Sequence, residues 1–342
     1  MTTIDSDAHV IECERTWQYV EKAARELMPK LVIEDGEDSG QKQFWVLEGR
    51  AHSQANVGLN TSKESREMAD VDARLRHMNE LEIDVQVLYP SLFLRPLTRR
   101  RDVEIALCRS YNRWLADVWS QGKGRLRWAV VLPLMSIEES LAEMRFAHDH
   151  GACAVFMRGI EMDLTLDSPY FYPIYDAAAE MNMPIGIHAG NNSFFWNDMF
   201  FDEGGYSRAK LPVISAFHSF VMSGVMARFP RLRVGFIEAA AQWVPAAIHD
   251  AARRIERRRR EPYDRTSVLR DNRLFVACQT DDDLAYVLKY AGEDNLVIGT
   301  DYGHNDTATE IDALRYLRNS GEVSAAAIEK ILGANAQALY GL

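Results

Sequence analysis

The chain is poor in cysteine, with only Cys13, Cys108, Cys153 and Cys278 among 342 residues. They stand far apart and never in the close pairs that build zinc sites or redox motifs, so packing roles in a reducing compartment are expected of them. No apolar run approaches the roughly 20 residues of a membrane span. The acidic N-terminus also lacks the basic and hydrophobic regions of a secretory signal, and a cytoplasmic protein is the expectation. Basic residues (39) are outnumbered by acidic ones (50). A formal net charge of -11 and a pI near 5.4 argue against a general nucleic-acid binder. The runs Arg99-Arg100-Arg101 and Arg257-Arg258-Arg259-Arg260 lie beside acidic neighbours at predicted helix ends, where they read as solvated termini or intersubunit salt bridges. Phosphate-loop, nucleophile-elbow and zinc-protease signatures are missing too, which removes several enzyme classes.

What is present is apolar residues in a regular alternation. Hydrophobic residues make up 47% of the chain and charged residues 26%, enough to bury a sizeable core. The length suits one large α/β barrel or two domains, and the pattern decides for the barrel. Apolar segments at 4–10, 83–90, 126–134, 152–157, 184–188, 232–238, 274–278 and 296–301 read as strands. Helical stretches at 102–120, 137–150, 170–183, 213–229, 240–258 and 281–291 separate most of them. Ahead of the second strand, Met68, Val71, Leu75, Met78 and Leu81 recur at helical spacing, with Ser65 as the expected N-cap. Eight strands with intervening helices predict an α/β protein, a (β/α)8 TIM barrel formed as one domain over 1–342. An acidic stretch at 34–40 and the strand-like Gln43-Phe44-Trp45-Val46-Leu47 predict a small hairpin or flap inserted after the first strand, at about 30–62.

The barrel reading gives the polar residues a common address, because active sites of this fold sit at the C-terminal strand ends. Asp7 and His9 lie there on the first strand and, two residues apart, project to one face. Tyr89 ends the second strand, Arg158 the fourth, His188 the fifth, Glu238 the sixth, Gln279 the seventh and Asp301 the eighth. Carboxylates and imidazoles converging on one mouth are what a divalent cation takes as ligands. Tyr89 and Arg158 are candidates for substrate contact. Arg158 could fork onto a substrate carboxylate or form a salt bridge at the rim. The loop 191–210 carries Phe194, Phe195, Trp196, Phe200, Phe201 and Tyr206. With Trp196 as its candidate contact, it either walls the pocket or packs against a second subunit of a homodimer.

Asp7-Ala8-His9, Ile187-His188-Ala189-Gly190 and Gly299-Thr300-Asp301-Tyr302 resemble the metal site of the amidohydrolase superfamily. In particular the chain is similar to its amidohydrolase-related branch, which includes decarboxylases of aromatic and unsaturated acids. Supporting stretches are Asp70-Val71-Asp72-Ala73-Arg74-Leu75, Ser223-Gly224-Val225-Met226-Ala227-Arg228-Phe229-Pro230 and Ile331-Leu332-Gly333-Ala334-Asn335-Ala336. The resemblance spans 5–342 apart from 34–60 and 191–210. It implies Asp7, His9, His188 and Asp301 as ligands of Zn, Mn or Fe, with Asp301 as acid/base. Many members carry His-x-His where this chain has Asp7-Ala8-His9, and several place a His on strand six where it has Glu238.

Two enzymatic readings follow. In the first, one cation serves a hydrolase or decarboxylase acting on a small, carboxylated organic substrate, with His218 orienting water or substrate and His304 in the pocket. In the second, Glu12 and Glu238 join the ligands. Four carboxylates and up to four imidazoles then suit two cations about 3.5–4 Å apart. Iron or iron/manganese in such a site would support a monooxygenase, which some members of the branch resemble. A barrel serving as an inactive partner subunit is the remaining alternative, and it should have shed ligands that this chain keeps.

Overall fold

The computed structural model describes residues 2–36, 40–53, 56–58, 60–200 and 205–342. Part of the acidic stretch at 34–40 and Phe201 of the aromatic loop lie outside them. The first strand, β1 (Ile4–Val10), is buried along its whole length. An antiparallel sheet of β2 (Lys30–Gly36), β3 (Gly40–Leu47) and β4 (Arg50–Ser53) follows as the inserted flap. Trp45 of this flap packs edge-on against Trp17 at 5.8 Å, both rings buried, which fixes the flap to the barrel.

The remaining barrel strands are β5 (Val85–Pro90), β6 (Leu126–Val131), β7 (Ala152–Arg158), β10 (Ile185–His188), β11 (Val234–Ile237), β12 (Leu274–Cys278) and β13 (Leu296–Ile298). Two short strands, β8 (Ile160–Glu161) and β9 (Leu164–Thr165), pair with each other beyond β7. The eight-stranded sheet runs β1-β5-β6-β7-β10-β11-β12-β13, and every pair is parallel. Such strands are covered on both faces and so carry continuous apolar runs, as the sequence pattern required. Helices including Arg101–Gln121, Ile137–Asp149, Tyr172–Glu180, Val244–Arg259 and Leu284–Ala291 form the outer layer. Ser136 and Asp283 cap two of them by accepting the amides of Glu139 and Tyr286, each worth about 1 kcal/mol.

Local structure departs from expectation in two places, each for a backbone reason. Ser65 does not cap the helix ahead of β5. The chain makes a short turn capped by Ser62, breaks at Met68 (φ 53°) and restarts as Val71–Glu80, with Asp70 accepting the Ala73 amide. A left-handed residue cannot continue a right-handed helix, so Met68 keeps the apolar period but not the helix. Likewise 213–229 is split at Gly224 (φ 84°) into Leu211–Ser223 and Val225–Arg228. The four cysteines are free thiols. Among the described residues no helix is long and apolar enough to cross a membrane.

Closure of the ring is made by the segment just past β13. The Asp301 amide donates to the Asp7 carbonyl and the His9 amide to the Tyr302 carbonyl, both at 2.8 Å. One layer down, the buried Asp5 carboxylate accepts Thr300 N (2.9 Å), Thr300 Oγ1 (2.7 Å) and Gln86 Nε2 (2.8 Å). Burial nevertheless pushes the Asp5 carboxyl up to about 6. Gln86 in turn accepts Arg74 Nε at 2.6 Å, and the buried Arg74 guanidinium lies 3.5 Å from the Tyr302 ring centroid while donating to the His9 carbonyl. Gly299 leaves room for this seam, since a Cβ there would stand 2.2 Å from the Asp7 Cβ. Gly299→Ala is therefore expected to lower unfolding free energy by about 1–3 kcal/mol through overpacking, measurable by urea denaturation, and to shift Asp7.

Candidate metal centre

Each chemical side chain is delivered by a strand end. Asp7 and His9 come from β1, His188 is the last residue of β10, Glu238 follows β11, and Asp301 and His304 follow β13. Glu238 (φ 59°) and Asp301 (φ 51°) sit in the left-handed region, a costly conformation for non-glycine residues that turns the chain where each carboxylate leaves its strand. All six are buried except Glu238, which is half-buried.

Their polar atoms crowd one space. His9 Nε2 lies 3.3 Å from Asp7 Oδ1, 3.3 Å from Asp301 Oδ1 and 4.0 Å from Glu238 Oε2. His188 Nε2 is 3.1 Å from Asp7 Oδ1, and His304 Nδ1 is 2.8 Å from Asp301 Oδ1. The rings of His9 and His304 stack at 3.8 Å. Two overlapping groups emerge, Asp7-His9-His188-Glu238 and His9-Glu238-Asp301-His304, each with one ligand atom per residue within 4.8 Å of the others.

Two tests show that these residues fit a cation. His9 Nε2, Glu238 Oε2, Asp301 Oδ1 and His304 Nδ1 are all buried with ion-pair contacts among the site's own residues but no well-aligned hydrogen bond, a cost that a shared cation would remove. The imidazoles are also oriented from behind. His9 Nδ1 meets the Pro90 carbonyl at 3.0 Å, so it must carry hydrogen there and turn Nε2 inward, whereas His188 Nδ1 faces the Ala189 carbonyl (2.8 Å) and Glu238 Oε2 (3.2 Å) and its Nε2 faces Asp7 Oδ1 (3.1 Å). Ser91 does for His304 what Pro90 does for His9, with the nitrogens exchanged. Its hydroxyl donates to the Val10 carbonyl at 2.8 Å, so at 2.7 Å it can only accept from His304 Nε2, leaving Nδ1 to face Asp301.

Charge in this pocket is tightly balanced. Burial alone would raise the Asp7 carboxyl, but His188 and His9 outweigh it and hold it below the usual range. Burial, seconded by Asp301, pushes Glu238 well up, while burial carries Asp301 to about 6 against the pull of His304. Burial and the neighbouring His304 drive His9 well down, the neutral state a ligand needs.

A family model described as amidohydrolase matches residues 4–342. The chain belongs to the amidohydrolase family. Among solved structures, an amidohydrolase from Mycobacterium avium subsp. paratuberculosis has a TM-score of 0.80 at 19% identity, covering 99% of both chains. 5-Carboxyvanillate decarboxylase from Sphingomonas paucimobilis has a TM-score of 0.72 at 14% identity, covering 100% of this chain and 99% of its own. The enzyme of that name from Novosphingobium aromaticivorans, complexed with manganese and 4-hydroxy-3-methoxy-5-nitrobenzoic acid, has a TM-score of 0.71 at 16% identity, covering 100% and 96%.

Not every residue expected at the mouth of this amidohydrolase reaches it. His218 sits half-buried on the outer helix Leu211–Ser223, 3.0 Å from Asp250 Oδ2, where the helical period that buries Val213, Phe217 and Phe220 turns it toward the neighbouring helix. Glu12 is buried beside the mouth but outside both ligand groups, and it accepts the amides of Ser91 (3.1 Å) and Leu92 (2.8 Å). It holds the loop that carries Ser91, with its carboxyl pushed by burial up to about 7. The Tyr89 hydroxyl pairs with that of Tyr340, and its ring packs beside His188 at 5.0 Å, as floor and not as a contact surface. Arg158 takes the rim alternative, forked onto Glu161 through Nε and Nη2. Trp196 Nε1 donates to the carbonyls of Ser207 and Arg208 and so ties the aromatic loop to itself. Gln279 keeps a buried Nε2 without a partner.

Arg95 was not anticipated from sequence. It lines a cavity of about 630 Å³ beside the centre, with Arg208, Lys210, Tyr206, Asp306 and Glu238 also in the wall. Its Nε is buried without a hydrogen-bond partner, and burial, then Arg208, lowers its pKa. The signal was its place five residues past Pro90, on a strand-end loop of the kind that carries function. Ser91→Ala is expected to weaken divalent-cation binding by about 10- to 100-fold with the fold intact, and His218→Ala to leave it unchanged, both read by calorimetric titration with manganese.

Proposed function

We propose that this chain is a metal-dependent decarboxylase of a small carboxylated organic substrate. One observation carries the reading: orphaned ligand atoms from β1, β11 and β13 open beside a cavity walled by Arg95, Arg208 and Lys210. Asp7, His9, His188 and Asp301 would hold the cation, with Glu238 and His304 at its border. Bound there, a divalent ion supplies Lewis-acid polarisation of a substrate oxygen. Arg95 and Lys210 draw the substrate carboxylate into the cavity, and Arg95 can grip it as a planar fork. Asp301, raised to about 6 by burial, can carry a proton near neutral pH and deliver it to the carbon that loses CO2. His304, 2.8 Å from Asp301 Oδ1, is placed to return that proton. The same ligands would serve hydrolysis, and the product separates the two.

A second reading has its own support. Asp7, Glu238 and Asp301 bring three carboxylates into one buried mouth, and both ligand groups contain Glu238 and His9. One divalent ion would leave a negative charge that a proton must neutralise, whereas two ions held by the two groups would not need it. With iron or iron and manganese, that arrangement suits oxygenation.

Elemental analysis of protein purified without added metal or chelator separates the readings. The expected result is about one Zn or Mn per chain, with CO2 release from a panel of hydroxylated aromatic and unsaturated acids. Two metals per chain including iron, with oxygen uptake and no CO2, would replace decarboxylation by oxygenation. His188→Ala should abolish metal retention and turnover while the circular dichroism spectrum stays unchanged. Glu238→Gln should leave one metal per chain under the first reading and halve the content under the second.

A further inference from the structure

A second cavity of about 280 Å³ adjoins the mouth on the β6–β7 side. Its apolar wall comes from separate elements: Leu107 and Cys108 on the helix Arg101–Gln121, Val131 at the end of β6, Leu134 and Met135 beyond it, and Phe156 of β7. Phe156 stands one ring away from the metal centre, its centroid 6.3 Å from that of His188. The polar groups in the wall are largely committed. Arg158 is forked onto Glu161, Glu104 accepts the Met135 amide at 2.8 Å, and Arg99 stacks over Phe194 at 4.5 Å. Arg95 differs. Among the described residues no carboxylate lies within ion-pair distance of it, its Nε has no partner, and it lines this cavity as well as the one beside Glu238.

An apolar chamber with one uncommitted guanidinium, set on the wall shared with a cation-lined chamber, has the chemistry of an amphipathic acid. We propose that the substrate carries an apolar arm, alkyl or aryl, which occupies the Leu107–Phe156 cavity while Arg95 holds its carboxylate at the wall common to both cavities. The proposal rests on the decarboxylase reading for its substrate but not for its binding geometry. Arg95 sets the position of the head group, and cavity volume sets the length of the arm. Short acids lacking the arm bind through charge alone, which water and salt screen.

The test is calorimetric titration of the full chain, loaded with manganese, with acetate, butyrate, hexanoate and octanoate. At about 0.8 kcal/mol per buried methylene, affinity should rise about 3- to 4-fold for each one added until the cavity is filled. Arg95→Gln should weaken every acid by at least about 10-fold while keeping the length dependence. Met135→Trp, at a half-buried position of the wall, should flatten the dependence from hexanoate upward, and Met162→Phe provides an independent filling variant if the first misfolds. A flat series in the unmodified chain, no octanoate binding, or an unchanged slope in both filled variants overturns the proposal. CO2 release is scored separately. A flat series with CO2 release removes the arm and leaves the decarboxylase, whereas a rising series without CO2 release does the reverse.

Discussion

The seam between β1 and the segment after β13 is the constraint on which the rest depends. Two backbone hydrogen bonds, from Asp301 to Asp7 and from His9 to Tyr302, close the ring, and three of the four residues that make them, Asp7, His9 and Asp301, are themselves candidate ligands. Ring closure and site assembly are one event. Beneath the seam, Asp5 grips Thr300 by backbone and hydroxyl, and Gln86 and Arg74 extend the network to the Val71–Glu80 helix and back to the His9 carbonyl. Each buried polar group in that chain limits the freedom of its neighbour, so the strand ends are held more tightly than apolar packing alone would hold them. Gly299 belongs to the same constraint, because two backbones approach too closely there for any side chain.

On this support rests an electrostatic problem that the protein only half solves by itself. Three imidazoles and three carboxylates share a buried mouth, and their orphaned atoms face one another. The hydrogen bonds that could relieve them are spent on orientation, with Pro90 and Ser91 fixing which nitrogen of His9 and of His304 points inward. The arrangement leaves these atoms placed as ligands that could take a cation. Positive charge at Arg95, Arg208 and Lys210 stands just outside, where an anionic substrate would find opposite charge on the wall and the acidic cluster beyond it.

Much of this was legible in the sequence, for a physical reason. Parallel strands buried on both faces write long apolar runs, and polar residues at the ends of such runs have few explanations other than the mouth of a barrel. Asp7, His9, His188, Glu238 and Asp301 were expected at the mouth for that reason, and His304 by its closeness to Asp301, and the structure brings their polar atoms together. His218 misled because a histidine on an apolar helix looks the same from sequence whether it faces the barrel or a neighbouring helix. Glu12 misled because a buried carboxylate can accept backbone amides as readily as it can bind metal. Ser91 left no pattern and Arg95 only its place on a strand-end loop, since their roles depend on which atoms of Val10 and His304, or which cavity walls, lie beside them. The helix boundaries at Met68 and Gly224 depended on single left-handed residues, which apolar periodicity does not register.

The hydrogen bond between Asp5 and Thr300 joins residues 295 positions apart. A chain whose first and last barrel strands must meet closes a very long loop, and contacts of such separation in sequence go with slow folding. With the ring open, Asp7, His9 and His188 would lack Asp301 and His304, and the cluster would have no outer half. A cation that needed both halves would bind only the closed ring. It would then slow the opening of the barrel without speeding its formation, and its contribution would be to lifetime.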